Sequence, residues 1–593
     1  MHTEIKDKAK NIVVGGYSGM GSLLRGEKLT QAALIILMTL WLVITIVLPM
    51  IQLFAQAFTD EAGEYVGLTN FVKYFKNPVL LQSLFNTIYV SSITAIISVF
   101  LALGYSYAVV RSAIPFKTFF RYIALLPLFA PSMAQGIALV YLFGNKGLFT
   151  NGFLGLLPMF NIHLYGAVGI IISEVVYTFP QVFLILFISL ASADYRLYEA
   201  ADVLGAGSLR KFFTVTLPNI RYAIFSSIFV CFTMSFVDFG APKIVGGQFN
   251  VLATDVYKQV VGQHNMTMGA TVGMILLLPA ILSFIIDRVM QKKQRAALTS
   301  KSTPYQITPK RNRDILLFIG CLLVAGAIVF LNFTILFSSF IKAWPYDLSL
   351  TAANYNFSGV SSHGLGPYYN SLIAASFTAI LGTVITFANA YVIEKLRPLP
   401  WLRQATYAMS LLPMALPGIV IGLSYAFFFN KLTFDIPIIG TVENPFNWIY
   451  GTMVIIILAN VFHYYSVPFI TATAALKKLD NEFELVSESM AVPFYKTFFS
   501  VSVPISILAI MEIMMYYFVT AMVTVSAVIF LYTSETKLSS VAIVSMEDNG
   551  DIASAAAMSM LIILTNIVVR IIYELSTRVI RKKTMAWQKP KEM

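Results

Sequence analysis

Residues Leu125–Asn145 read LLPLFAPSMAQGIALVYLFGN, and residues Leu411–Asn430 read LLPMALPGIVIGLSYAFFFN. Each run supplies about 20 mostly apolar residues, enough for a helix to cross the hydrocarbon core of a bilayer. Two prolines and one glycine fall at matching positions: Pro127, Pro131 and Gly136 in the first, Pro413, Pro417 and Gly422 in the second. One offset of 286 residues relates all three pairs, the mark of an internal duplication. The same offset relates KFFTVTLPN, with Pro218, to KTFFSVSVPI, with Pro504. Asn86-Thr87 with Tyr107 and Asn370-Ser371 with Tyr391 repeat at 284.

The rest of the chain agrees with a membrane duplication. Of its 593 residues 58% are hydrophobic and 12% charged, about half the charge of a soluble domain. That excludes a soluble enzyme and a disordered chain. Twelve apolar runs are candidate spans: 31–57, 83–110, 119–143, 164–191, 220–241, 267–289, 315–341, 370–394, 402–429, 448–474, 505–532 and 553–576. No cleavage site follows the first run, so it reads as a retained span. The expected fold is all-α, a polytopic membrane protein of about 12 transmembrane helices in two parallel six-helix repeats related by an axis along the membrane normal. The expected divisions are an N-tail at 1–30, a first domain at 31–290, a basic linker at 291–313, a second domain at 314–577 and a basic C-tail at 578–593.

Lys and Arg favour cytoplasmic loops. With the N-terminus inside, the inside segments hold 33 of the 41 basic residues. Both termini are therefore expected in the cytoplasm of a bacterial inner membrane. The net charge of +12 then faces an anionic lipid surface, and nucleic acid is not an expected partner. Cys231 and Cys321 lie in apolar runs and read as small buried hydrophobes.

No phosphate-cradling G-x-x-x-x-G-K-[ST] run occurs, so ATP hydrolysis by that route is not expected of this chain. No metal-ligand spacing is present either. Ionisable residues inside spans are the usual relays of gradient-driven carriers. Glu174 is the deepest; Asp238 sits near an outer end, interfacial or part of a pathway; Glu512 sits near an inner end; His463 completes the set. None is duplicated: at offset 286 Glu174 meets Asn460, Asp238 meets Thr524, Glu512 meets Ser226 and His463 meets Tyr177.

The loop most informative about function is DYRLYEAADVLGAGSLRKFFTVTLP, residues 194–218. Leu197, Ala200, Ala201 and Leu204 fall on one helical face. Gly205 and Gly207 break that helix, and a second short helix with Leu209, Phe212, Phe213 and Val215 leads into Pro218. A short helix between spans reads as a docking element or as a helix lying on lipid. Glu199-Ala200-Ala201, then Leu204-Gly205-Ala206, then Leu217-Pro218 resemble the EAA loop of type I ATP-binding-cassette importer permeases. The resemblance covers nearly the whole chain as two fused permease domains. It implies that Glu199, Ala200, Ala201, Leu204, Gly205, Ala206 and Pro218 form a coupling helix entering a cytoplasmic ATPase, of which two copies, carrying ATP and Mg, are expected. It also implies an extracytoplasmic solute-binding protein and alternating access, with no cofactor on this chain.

The second loop is degenerate. At offset 286 Glu199 becomes Leu485, Ala200 becomes Val486, Ala201 becomes Ser487, Leu204 becomes Met490 and Gly205 becomes Ala491, while Pro218 stays Pro504. Glu484 and Glu488 flank the lost acidic position as candidate substitutes.

Fused double permeases of this kind resemble those for ferric iron and for organophosphonates. The outer segment 238–263 and the run 540–561 look more like the phosphonate group, so a solute such as 2-aminoethylphosphonate is the expectation and ferric iron the alternative. Lys243 and Gly246-Gly247 are candidate anion contacts at the outer mouth. A gradient-driven carrier centred on Glu174 is the rival from another class.

Overall fold

A computed structural model describes residues 27–152, 159–297, 305–359, 364–436, 440–480 and 482–584. The ends of the expected tails and residues 298–304 of the expected linker lie outside them. The described chain is helical, apart from two small antiparallel hairpins, β1 (Ile341–Ala343) with β2 (Asp347–Leu350) and β3 (Thr433–Ile436) with β4 (Gly440–Glu443).

Among the described residues, eight continuous helices are long and apolar enough to span a membrane. In the first half they are α1 (Glu27–Ala57), α2 (Pro78–Arg111), α5 (Ala167–Ala191), α7 (Ser208–Val237) and α10 (Met266–Ala297). In the second they are α11 (Arg311–Ser339), α12 (Gly366–Lys395) and α21 (Ile552–Thr584). Four further spans are bent pairs, and counting each as one gives twelve. The chain is a multi-pass membrane protein.

The expected spans at 119–143 and 402–429 are bent. Helices α3 (Lys117–Phe129) and α4 (Ser132–Phe143) meet at 100°. Helices α13 (Pro400–Ala415) and α14 (Gly418–Asn430) meet at 113°. Pro131 and Pro417 sit at the corners with extended ψ of 149° and 138°. A proline has no N–H to continue the helix and disfavours helical backbone in the residue before it. The two other bends belong to the second half alone. Helices α15 (Met453–His463) and α16 (Ser466–Lys477) meet at 57°, where Pro468 has no N–H to give the Tyr464 carbonyl. Helices α18 (Phe494–Ile505) and α19 (Ile507–Val523) meet at 78°, and the span expected to reach 532 ends as helix at Val523. At the other margin α10 runs on to Ala297, past the expected start of the linker, because Lys, Gln, Arg and Ala are good helix formers with no breaker among them.

The first span of each half lies against the other half. Thr39 on α1 bonds Thr406 on α13 at 2.7 Å, and Tyr425 on α14 donates to the Thr45 carbonyl at 2.7 Å. In return Phe318 on α11 packs edge-on against Phe120 of α3, and Trp344 donates to the Lys146 carbonyl at 2.9 Å. Helix α1 also lines α10, and α11 also lines α21. One continuous apolar core therefore crosses the boundary between the repeats.

Candidate functional site: paired loops and the seam between the halves

Between α5 and α7 the chain forms a short helix, α6 (Arg196–Val203). Gly205 ends it at φ +69°, the left-handed conformation that glycine adopts at least cost. The Ala206 N–H reaches the Ala201 carbonyl and the Gly205 N–H reaches that of Asp202, both at 2.9 Å, which satisfies two terminal carbonyls. Helix α7 begins at Ser208 and widens to a π-turn over Phe212–Thr216, just before Pro218. Pro218 cannot donate to the Thr214 carbonyl, and the Leu217 N–H goes to Phe212 instead.

The second loop repeats this backbone at offset 286. Helix α17 (Glu482–Ser489) matches α6, and the π-turn Phe498–Ser502 matches Phe212–Thr216. Ala491 takes the left-handed position at φ +54°, and the Val492 and Ala491 N–H groups reach Ser487 and Glu488 at 2.9 and 3.2 Å. Both loops present exposed apolar side chains at matching positions: Leu197 and Phe483, Leu204 and Met490, Leu209 and Tyr495, Phe213 and Phe499. Glu199 and Ala200 are exposed on this face too. Ala201 is not: it is buried beside Tyr198, one turn round from the surface the helical pattern gave it.

Beneath the loops the chemistry differs. Arg111, 1% exposed, stacks 4.9 Å from the Tyr198 ring and 3.8 Å from that of Tyr305, and donates to the Leu190 carbonyl at 2.8 Å. Tyr305 comes from the connection between the halves, and Lys310 from the same stretch donates to Ser208 at 2.9 Å. Beneath the second loop Lys395 takes the place of Arg111 and Glu484 that of Tyr198, joined at 3.3 Å. Glu488 pairs with Arg397 at 3.4 Å. Neither carboxylate therefore stands where Glu199 stands; Leu485 does. Glu27, at the start of α1, accepts the Phe494 N–H at 2.8 Å and caps α18 from the opposite half. Where Tyr305 sits under the first loop, the second leaves a cavity of about 380 Å³ lined by Glu27, Lys395, Glu484 and Glu488.

The halves also meet along a polar seam. Glu174 on α5 is fully buried, and neither carboxyl oxygen has a hydrogen-bond donor among the described residues. Its neighbour is Asp238, at the end of α7. Asp238 accepts from Ser132 of α4 at 3.0 Å and from the Ala241 N–H at 2.9 Å, capping the short helix α8 (Gly240–Val245). The bend at Pro131 brings Ser132 there. Asp238 itself is half-buried. Tyr177 of the first half lies near both carboxyls and Tyr464 of the second near Asp238, with Tyr516 beside Tyr464 at 6.3 Å between ring centroids. Tyr464 and Thr524 bond at 2.9 Å. Asn460, the repeat partner of Glu174, is equally buried, with neither end of its amide partnered among the described residues. Glu512 is exposed. Lys243 is tied to Asp548 of the other half at 2.6 Å, at the end opposite the loops. Sequence reasoning missed the tyrosines, which carry no spacing motif, and the brace made by Tyr305.

The pattern of the binding-protein-dependent transport system inner membrane component matches residues 95–296 and again residues 390–582. The chain belongs to this family. It is 27% identical over 564 residues to the ferric transport system permease protein FbpB of Actinobacillus pleuropneumoniae, covering 93% of this chain and 79% of that one. A putative FbpB 1 of Haemophilus influenzae is 26% identical, covering 89% of this chain and 83% of that one. The spermidine/putrescine permease PotB of Haemophilus influenzae is 26% identical over 42% of this chain and 90% of its own. The permease is thus the fused double-domain, type I form of an ATP-binding-cassette importer subunit. Nothing in these likenesses favours the phosphonate expectation.

Proposed function

We propose that this permease imports ferric iron, handed over by an extracytoplasmic binding protein and driven by two ATPase subunits docked on the paired loops. The observation that carries the solute is the likeness to two-domain ferric permeases along nine-tenths of the chain; the polyamine permease matches less than half of it. The seam fits a cation better than a phosphonate anion. It gathers two carboxyls and several phenols, while Lys243, the cation sought for an anion, is engaged by Asp548.

In this reading the loops face the cytoplasm, as the bias in Lys and Arg supports. Each loop's exposed apolar face enters a cleft on one ATPase. When ATP draws the ATPases together, the loops approach and the seam opens to the outside; after hydrolysis it opens inward. Because each loop is held from beneath by a segment leading into the other half, displacement of one loop loads both bundles. The chain's own task is to pass the ion, and ATP chemistry stays on the partner.

The test is reconstitution of the permease with its ATPase and binding protein in proteoliposomes. ATP-dependent uptake of iron from the ferric-loaded binding protein is expected. Uptake of 2-aminoethylphosphonate without iron uptake would overturn the assignment of solute. Uptake driven by an ion gradient with no ATPase present would overturn the importer itself.

A further inference from the structure

Two carboxyls side by side inside a membrane protein need an explanation. An ionised carboxylate away from water is costly unless it is paired. Glu174 is 0% exposed, yet neither of its oxygens has a donor among the described residues. Among the described residues, the titratable groups interacting with the pair are Tyr177, Tyr464 and Cys231. Two adjacent carboxyls cannot both stay ionised by themselves. The pair must therefore share a proton or hold a cation.

The surroundings favour a cation in transit. Asp238, Tyr177, Tyr464 and Tyr516 are half-buried and lie together where the two halves meet. Carboxylate and phenol oxygens are hard donors, suited to hard, highly charged ions. One half alone supplies the carboxyls: Asn460 and Thr524 stand at the repeat positions. Two carboxylates and one phenolate just balance a trivalent ion, with no surplus of negative charge to trap it. A transport site needs that, since an ion must enter readily and still leave.

We propose that Glu174 and Asp238 are a transient way-station for a hard trivalent cation crossing the seam, with the Tyr177 and Tyr464 phenols completing its oxygen shell. The inference rests on the ferric reading above. The ion displaces the proton shared by the carboxyls, and any phenol proton lost on coordination also goes to water; no electron is transferred.

The experiment uses the full permease–ATPase complex. In proteoliposomes with ferric-loaded binding protein, Glu174→Gln and Asp238→Asn are each expected to lower iron uptake at least tenfold while the ATPase still co-purifies. The exposed carboxylate variant Glu512→Gln is expected to transport as the parent does. Unchanged uptake in both seam variants would overturn the way-station. A second measurement separates it from misfolding and from the choice of solute. Ferric ion alone, as a soluble weak chelate, is added to the purified complex. A visible tyrosinate-to-iron charge-transfer band is expected, lost in Tyr177→Phe and in Glu174→Gln. If the parent imports some other solute yet shows the band, the ferric function falls and the site stands. If no band forms in the parent, the site falls, whatever the solute.

Discussion

The two loops share a backbone and differ in almost everything that decorates it. Both have an eight-residue helix, a left-handed residue and a π-turn at a constant offset of 286. Yet a stacked Arg111 holds the first from beneath and an ion-paired Lys395 holds the second. The first is braced by Tyr305, the second by Glu27. The exposed acidic residue Glu199 has become Leu485. Backbone hydrogen bonds fix the shape of such a loop, so side chains can change around it as long as the left-handed residue and the prolines keep their places. Shape is what two matching clefts would read. The side chains beneath decide how firmly each loop is tied to its bundle.

That contrast can be broken first at the buried ammonium. Lys395→Ala should leave Glu484 unpaired in a partly dry site and cost about 3 kcal/mol. The corresponding Arg111→Lys should cost less, about 1 kcal/mol, because it keeps the charge and loses mainly the stacking. Thermal unfolding of both variants in detergent checks this; equal losses would mean that the two anchors are alike after all.

The end opposite the loops offers the next largest effect. Burial raises the Asp255 carboxyl to about 6, and its repeat position holds the apolar Val541. A raised carboxyl favours the folded state least once the unfolded chain ionises. The cost is absent below about pH 4, grows between pH 4 and 6, and is constant above. Asp255→Asn should therefore stabilise the protein at pH 7 by on the order of 2 kcal/mol, with the gain vanishing near pH 4. A gain independent of pH would refute this account.

The exposed faces come third. Glu199→Leu makes the first loop resemble the second and should reduce ATPase co-purification about tenfold, equivalent to about 1.4 kcal/mol. Leu485→Glu should change it less than threefold. If the reciprocal change matters more, the degenerate loop is the stronger anchor.

The smallest effect tests the shared backbone. Gly205→Ala meets no neighbouring atom within 4 Å, so its cost, about 1 kcal/mol, should come from the left-handed conformation alone. Ala491→Gly should gain a similar amount or less, measured by the same unfolding experiment.

The amino-acid order by itself determined the spans, the duplication and the loop helices. Each of these is local: an apolar run long enough for the bilayer, a repeated pattern of Pro and Gly, a 3.6-residue period closed by a left-handed residue. The helix-continuing run after 290 was less legible, because its charge suggested a loop while its propensity favoured helix. Glu174 and Asp238 were legible as unusual residues, but not as neighbours. Their meeting depends on the packing of α5 against α7, and the 100° corner at Pro131 adds Ser132 to Asp238. Tertiary structure alone decided three further things: that each first span crosses to the other half, that Tyr305 and Glu27 brace opposite loops, and that tyrosines of both halves gather around one carboxyl pair. All three are contacts between residues far apart in the chain. Periodicity carries no information about such contacts, because the free energy that selects them comes from burying surfaces against each other rather than from any segment's own preference.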